Sequence, residues 1–239
     1  MINEEKQVYR PKKLTVEDIK EGCITLYGED KEERRLCVVQ EELRQGIETI
    51  QKYPHSVTFY GSARLSKDSP YYEIGRKIAF RICKELKNAV ISGGGLGLME
   101  AVNQGAYEAN GNSIGVTIKL SREQQTNKYL TEIIPFYFFF TRKVVMSYTA
   151  EAYIFLPGGF GTYNELFEMI TLKQTKKIDN IPIILIGSDF WKPLDDIVKN
   201  YFVEKYKTVS KDELPLYTIT DDEDEVIKII KENKAHPDN

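Results

Sequence analysis

The stretch Tyr153-Ile154-Phe155-Leu156-Pro157-Gly158-Gly159-Phe160-Gly161-Thr162-Tyr163-Asn164-Glu165 decides the fold. An apolar run without a polar break leads into three closely spaced glycines, and Thr162–Thr175 then has a helical pattern. Strands buried on both faces read as continuous apolar runs, and Ile181–Ile186 has the same character. A buried strand that turns through glycine into a helix is the repeating half of a parallel α/β sheet.

Working outward, the same alternation recurs. Ser56–Tyr60, Ala89–Ser92 and Ser113–Ile118 are short β-branched or aromatic runs, with further strands expected at Leu130–Pro135 and Leu216–Ile219. Helices are expected from Ser69-Pro70 to about Leu86, over Gly97–Ala109 and Phe139–Ala150, and onward from Trp191. A last helix starts at Thr220-Asp221-Asp222-Glu223, which reads as a capping box. The fold class is therefore α/β, a Rossmann-like doubly wound parallel sheet with helices on both faces. From about Thr15 to Tyr53 the spacing of Leu36, Val39, Leu43, Ile47 and Ile50 is helical, which predicts an N-terminal helical extension. The division expected is 1–53 for that extension and 54–239 for a nucleotide-binding catalytic domain. Residues 1–13 are polar and are expected to lie loose or draped over the body.

Composition excludes several functions. Lys+Arg of 33 against Asp+Glu of 36 leaves a net charge of −3, so the chain lacks the basic footprint of a nucleic-acid-polymer binder. Cys23, Cys37 and Cys83 have irregular spacing and an odd count, and His55 and His236 are the only histidines. Those numbers predict free thiols, no metal centre and a reducing compartment. With no apolar run long enough for a signal peptide or membrane span, the expected location is cytoplasmic, away from membranes.

Ligands of such sheets bind outside the carboxyl ends of the strands. Gly93, Gly94, Gly95 and Gly97, followed by Leu98-Met99, sit between a strand and a helix; that density suits amides turned towards a phosphate. The loop is not a dinucleotide fingerprint. A G-x-G-x-x-G frame starting at Gly93 or Gly95 meets Leu98 or Glu100 where its third glycine belongs, and no carboxylate follows the next strand. Gly158, Gly159, Gly161 and Thr162 form the second loop. There the spacing fits two readings equally: a capping box of Thr162 with Glu165, or a hydroxyl and amides for a phosphate with a carboxylate facing a sugar. Gly61-Ser62-Ala63-Arg64 is a further phosphate contact by position. Arg142 and Lys143 alone read as solvated helix cations, and Phe136–Phe140 as core or as an apolar contact surface.

In combination, the Gly-Ser-Ala-Arg loop, GGGLGLMEA, Arg142-Lys143 and PGGFGTYNE resemble the LONELY GUY (LOG) family of cytokinin-activating phosphoribohydrolases, some of whose members were labelled possible lysine decarboxylases. The resemblance runs from about Val57 to Phe202. It departs from the commoner pattern at Thr141, where glutamate precedes the Arg-Lys pair, and at Glu100, where many members have glycine. The resemblance implies cleavage of the N-glycosidic bond of a nucleoside 5′-monophosphate, AMP or N6-substituted AMP, to free base and ribose 5-phosphate. It maps the catalytic pair onto Arg142 and Glu165. Substrate binding falls to Gly158, Gly159, Gly161 and Thr162, with help from Lys143, Ser62, Met99 and the glycines at 93, 94, 95 and 97. It implies no cofactor or metal, and a homodimer or larger homo-oligomer. The alternative is a non-catalytic nucleotide or molybdenum-cofactor binder of the same fold.

Overall fold

The computed structural model describes residues 15–119 and 125–233; the expectation for residues 1–13 lies outside them. Two helices come first, α1 (Val16–Tyr27) and α2 (Lys31–Ile50). The expected single helical segment breaks at Gly28, whose φ of +56° a side chain would resist, and restarts at Asp30, whose carboxylate accepts from the amides of Glu32 and Glu33. Thr15 and Asp18 close a capping box at the start of α1. The hairpin brings Cys23 and Cys37 to a Cα separation of 5.8 Å, and they form a disulfide. The expectation of free thiols is corrected accordingly. Only Cys83 is free and it is buried, so cysteine usage no longer argues for a reducing compartment.

The remainder alternates strand and helix. In order it comprises β1 (Ser56–Tyr60), α3 (Pro70–Arg81), β2 (Ala89–Ser92), α4 (Leu98–Glu108), β3 (Ser113–Ile118), β4 (Glu132–Phe136), α5 (Phe139–Ser147), β5 (Ala150–Phe155), α6 (Phe160–Gln174), β6 (Ile183–Leu185), α7 (Ser188–Ile197), β7 (Thr218–Ile219) and α8 (Glu223–Glu232). The cap of α8 is Asp222 rather than Thr220, whose hydroxyl instead accepts from the Asp222 amide.

The seven strands form one sheet in the order β4-β3-β2-β1-β5-β6-β7, and every pairing is parallel. The chain builds outward from β1 to β4, then returns to lay β5 on the other side of β1. That reversal makes the gap between β1 and β5 the switch point, where the loops on either side diverge and leave a crevice. The two glycine loops are consequently not on neighbouring strands: β1 and its Gly61-Ser62 turn lie between them.

Strand alternation sends side chains to two cores. Tyr60, Ile91, Tyr153 and Phe155 pack with residues of α2, α5, α6 and α7, whereas Val57, Phe59, Val90 and Ile154 pack with α3, α4 and α8. The helices thus cover both faces. Of the aromatic run, only Phe136 is fully in the core; Tyr137, Phe139 and Phe140 are exposed. This corrects the core reading of the run, because the edge strand β4 buries its last residue and the chain then leaves the sheet to start α5.

One buried polar network fixes the turn after β2. The Asn103 side-chain oxygen accepts from Ser92 Oγ (2.6 Å) and Asn127 Nδ2 (2.9 Å), while its Nδ2 donates to Ser113 Oγ (2.9 Å). Ser92 Oγ accepts from the Gly94 amide, and Asn127 donates to the carbonyls of Gly94 and Gly95. The glycine loop is therefore rigid, since a fully satisfied buried network has one arrangement. Asn103→Leu strands several of these groups without partners and is expected to cost at least about 1–3 kcal/mol, measurable as a lower urea midpoint.

Candidate functional site

Three turns meet at the carboxyl edge of the central strands. Ser62, after β1, donates its amide to Pro157 O (3.0 Å) and accepts from the Leu98 amide (2.9 Å), so it joins both glycine loops through backbone bonds. Its hydroxyl accepts from the Arg64 amide. Gly97 holds a φ of +67°, and a Cβ there would lie 2.5 Å from Ser62 O, which makes glycine obligatory at this junction.

The N-cap of α6 is Gly159, not Thr162, so the capping-box reading of Thr162 and Glu165 is overturned. Thr162 lies inside the first turn with its hydroxyl packed against Gly158, and Glu165 is buried one turn on. No side chain caps this helix among the described residues, leaving the first-turn amides directed outward with the partial positive charge of a helix start. Gly159 and Gly161 are exposed and have open space where a Cβ would stand. Phe160 between them is 97% exposed.

Arg142 and Lys143 come from α5. Arg142 is not a solvated cation: its Nε donates to Val116 O at 2.7 Å, at the end of β3. A Cβ at Gly93 would lie 2.6 Å from Arg142 Nη2 and 2.7 Å from Met99 Sδ, so Gly93 makes room for the guanidinium and Met99 packs beside it. Burial pulls the guanidinium pKa down, opposed by the charge of Glu165; arginine nevertheless stays protonated in proteins. Lys143 pairs with Glu168 and lies 3.8 Å from Glu165 Oε2.

Glu165 is set apart by its environment. Burial pushes its pKa up, against the pull of Lys143 and then Arg142. Its Oε2 is buried and has no hydrogen-bond partner among the described residues. Tyr60 is a second such group, which sequence reading passed over as an ordinary strand residue. Its hydroxyl is buried without a hydrogen-bond partner among the described residues, its ring stacks on Phe155 at 4.7 Å, and burial followed by the Glu165 charge raises its pKa well above the usual phenol value. Two orphaned polar atoms near one buried guanidinium mark a place prepared for a polar molecule. The structure thus brings Arg142, Lys143, Glu165 and Tyr60 together, with Gly93 and Met99 against Arg142. Gly94, Gly95, Gly97 and Ser62 act as its frame rather than as open contacts.

The raised pKa carries a stability consequence. Its folded value lies above its unfolded value, so its stabilising contribution is full below the unfolded carboxylate pKa and is lost as pH rises through the folded value. Glu165→Gln is therefore expected to melt above the wild type at neutral pH. The gap should close as the solution is acidified, checked by thermal denaturation across that range.

Comparison with known proteins places the family and the fold. The family described as possible lysine decarboxylase matches residues 99–230, a little over half of the chain. The cytokinin riboside 5′-monophosphate phosphoribohydrolase LOG2 of Arabidopsis thaliana is 30% identical over 143 residues, which cover 59% of this chain and just under two thirds (66%) of that protein. A cytokinin riboside 5′-monophosphate phosphoribohydrolase of Rhodococcoides fascians is 27% identical over 158 residues, 65% of this chain and 79% of that one. Among solved structures, TM1055 superposes with a TM-score of 0.56 at 23% identity over 74% of this chain and 99% of its own. The molybdenum cofactor binding protein of Rippkaea orientalis gives 0.52 at 19% identity, over 74% of this chain and 94% of its own. At these identities the structures speak to the fold, which they share. With a family match across residues 99–230, more than half of its length, this chain belongs to the possible lysine decarboxylase family that includes the LOG phosphoribohydrolases.

Proposed function

We propose that this protein hydrolyses the N-glycosidic bond of a nucleoside 5′-monophosphate, AMP or an N6-substituted AMP, to the free base and ribose 5-phosphate. The observation that carries this is the pairing of an uncapped helix start at Gly159–Thr162 with a buried carboxylate one turn further on, within electrostatic reach of the Arg142 guanidinium. The first-turn amides and the Thr162 hydroxyl would take the phosphate, which sets the ribose over Glu165. Relatives named as phosphoribohydrolases support the reading.

The chemistry follows from those groups. Breaking the bond between C1′ and the base nitrogen builds positive charge on the sugar, as in other glycoside hydrolyses. The Glu165 carboxylate faces that charge, orients the attacking water and takes its proton as the new C1′–O bond forms. The departing base carries the bonding electron pair away, and Arg142, fixed by Val116 O, offsets that negative charge or holds the ribose hydroxyls. Lys143, tied to Glu168, keeps a positive charge near Glu165 and favours its ionised, reactive form. Self-association belongs to the same reading. Phe140, Val144 and Tyr148 recur every fourth residue along α5 and all are exposed, a stripe that a second copy would cover.

Glu165→Gln should retain AMP binding by calorimetry while adenine release, followed by chromatography, falls about 10²–10⁴-fold. In the wild type, release should decline on acidification at a higher pH than an ordinary carboxylate would set, because the ionised form is required and burial raises its pKa. Adenine release unchanged in the Gln variant would refute the role of Glu165. Binding without release by the wild type would favour a carrier or sensor. Gly93→Ala should fold normally, since the atoms it meets are side-chain ends, yet lose at least ~10-fold in turnover by displacing the Arg142 guanidinium.

A further inference from the structure

Helix α5 carries Arg142 but supplies no cap of its own. Its N-cap position is Phe138, and the run from Phe136 to Phe140 contains no Ser, Thr, Asp or Asn that could accept from the first amides. The acceptor comes instead from α2. The carboxylate of Glu42 takes the amides of Tyr137 and Phe138, the latter at 3.3 Å, and its Oε2 lies 2.7 Å from Thr141 Oγ1. Glu42 is 1% exposed, and no Lys, Arg or His side chain pairs with it among the described residues. A buried carboxylate without a cation is costly unless backbone donors and a helix start compensate it, and both do so here.

The approach is built into α2. Gly46, one turn beyond Glu42, faces α5 so closely that a Cβ would lie 2.6 Å from Val145 Cγ2 and 2.7 Å from Phe136 Cζ. The missing side chain lets the two helices close until Glu42 reaches the α5 start. Thr141, the last group in this contact, directly precedes Arg142, whose Nε must meet Val116 O at the other side of the helix end.

We propose that Glu42 is a positioning residue for the reaction: through the first turn of α5 it sets where the Arg142 guanidinium stands, which makes the N-terminal hairpin part of the catalytic apparatus. This rests on the nucleotide hydrolysis argued above. Small misplacements of a catalytic group cost up to ~10²-fold in rate. Substrate phosphate contacts lie on α6, away from this contact, so the effect falls on kcat rather than on KM.

Thr141 also supplies the test. It is the third residue of α5, the position from which a glutamate reaches back to the N-cap amide. A carboxylate grown there would enter the space that Glu42→Ala vacates. Wild type, Glu42→Ala, Glu42→Gln and the double variant Glu42→Ala/Thr141→Glu are compared in AMP hydrolysis and in amide hydrogen exchange of residues 137–142. Glu42→Ala should lose at least ~10-fold in kcat, with KM within about 2–3-fold, and its 137–142 amides should exchange faster. The double variant should recover most of both. Glu42→Gln, which keeps the shape and one acceptor, should fall between; it carries the test alone if the Ala variant does not fold. Wild-type kcat and exchange in the Ala or Gln variant would overturn the proposal, as would a kcat loss that Thr141→Glu leaves unrepaired. If the wild type hydrolyses no nucleotide, the functional reading fails, and the exchange of 137–142 and its recovery by Thr141→Glu still decide whether Glu42 positions α5.

Discussion

Keeping a guanidinium and a carboxylate out of solvent at the carboxyl ends of the central strands is the demand on which the rest of this structure depends. Neither Arg142 nor Glu165 has the solvent that would normally stabilise its charge, and each moves the pKa of the other against the effect of burial. The chain meets this demand with backbone. Val116 O holds the arginine, Gly93 clears its path, and the Asn103 network keeps the Gly93–Gly97 loop from relaxing into the space. Charges held in place by rigid main chain are preorganised. The Glu165 Oε2 and the Tyr60 phenol are the counterpart of that arrangement: buried polar atoms without a hydrogen-bond partner among the described residues.

The sheet and most of its helices were legible because their signals are local. Apolar runs such as Tyr153–Leu156 and Ile183–Leu185 can be buried only one way, and glycine after a strand announces the turn. Arg142 and Glu165 were legible as a pair only through resemblance. Spacing alone left Glu165 balanced between cap and reactive group, and the register of α6, with Gly159 at its start, removes the cap.

What escaped the sequence depends on contacts between distant segments. Cys23 and Cys37 are fourteen residues apart, and their bond follows from a hairpin that pivots on Gly28. Phe139 and Phe140 look like core in a line of aromatics, yet the chain has already left the sheet when it reaches them. Tyr60 belongs by pattern to an ordinary buried strand. Its significance lies in the missing partner for its hydroxyl, a property of the assembled pocket that no pattern of residue types encodes. Glu42, in the middle of a polar helix, carries no local signal at all; its partners are nearly a hundred residues away.

Gly159 and Gly161 differ in kind from the other glycines of the site. At Gly97 a methyl group would collide with the Ser62–Ala63 backbone, so any defect there mixes folding with function. At Gly159 and Gly161 the chain leaves the space empty. Alanine at those two positions meets no atom of the protein, so a change in ligand affinity there would report on contact at the helix start. On the proposed reading, the pair is a steric gauge of how closely a phosphate approaches the backbone.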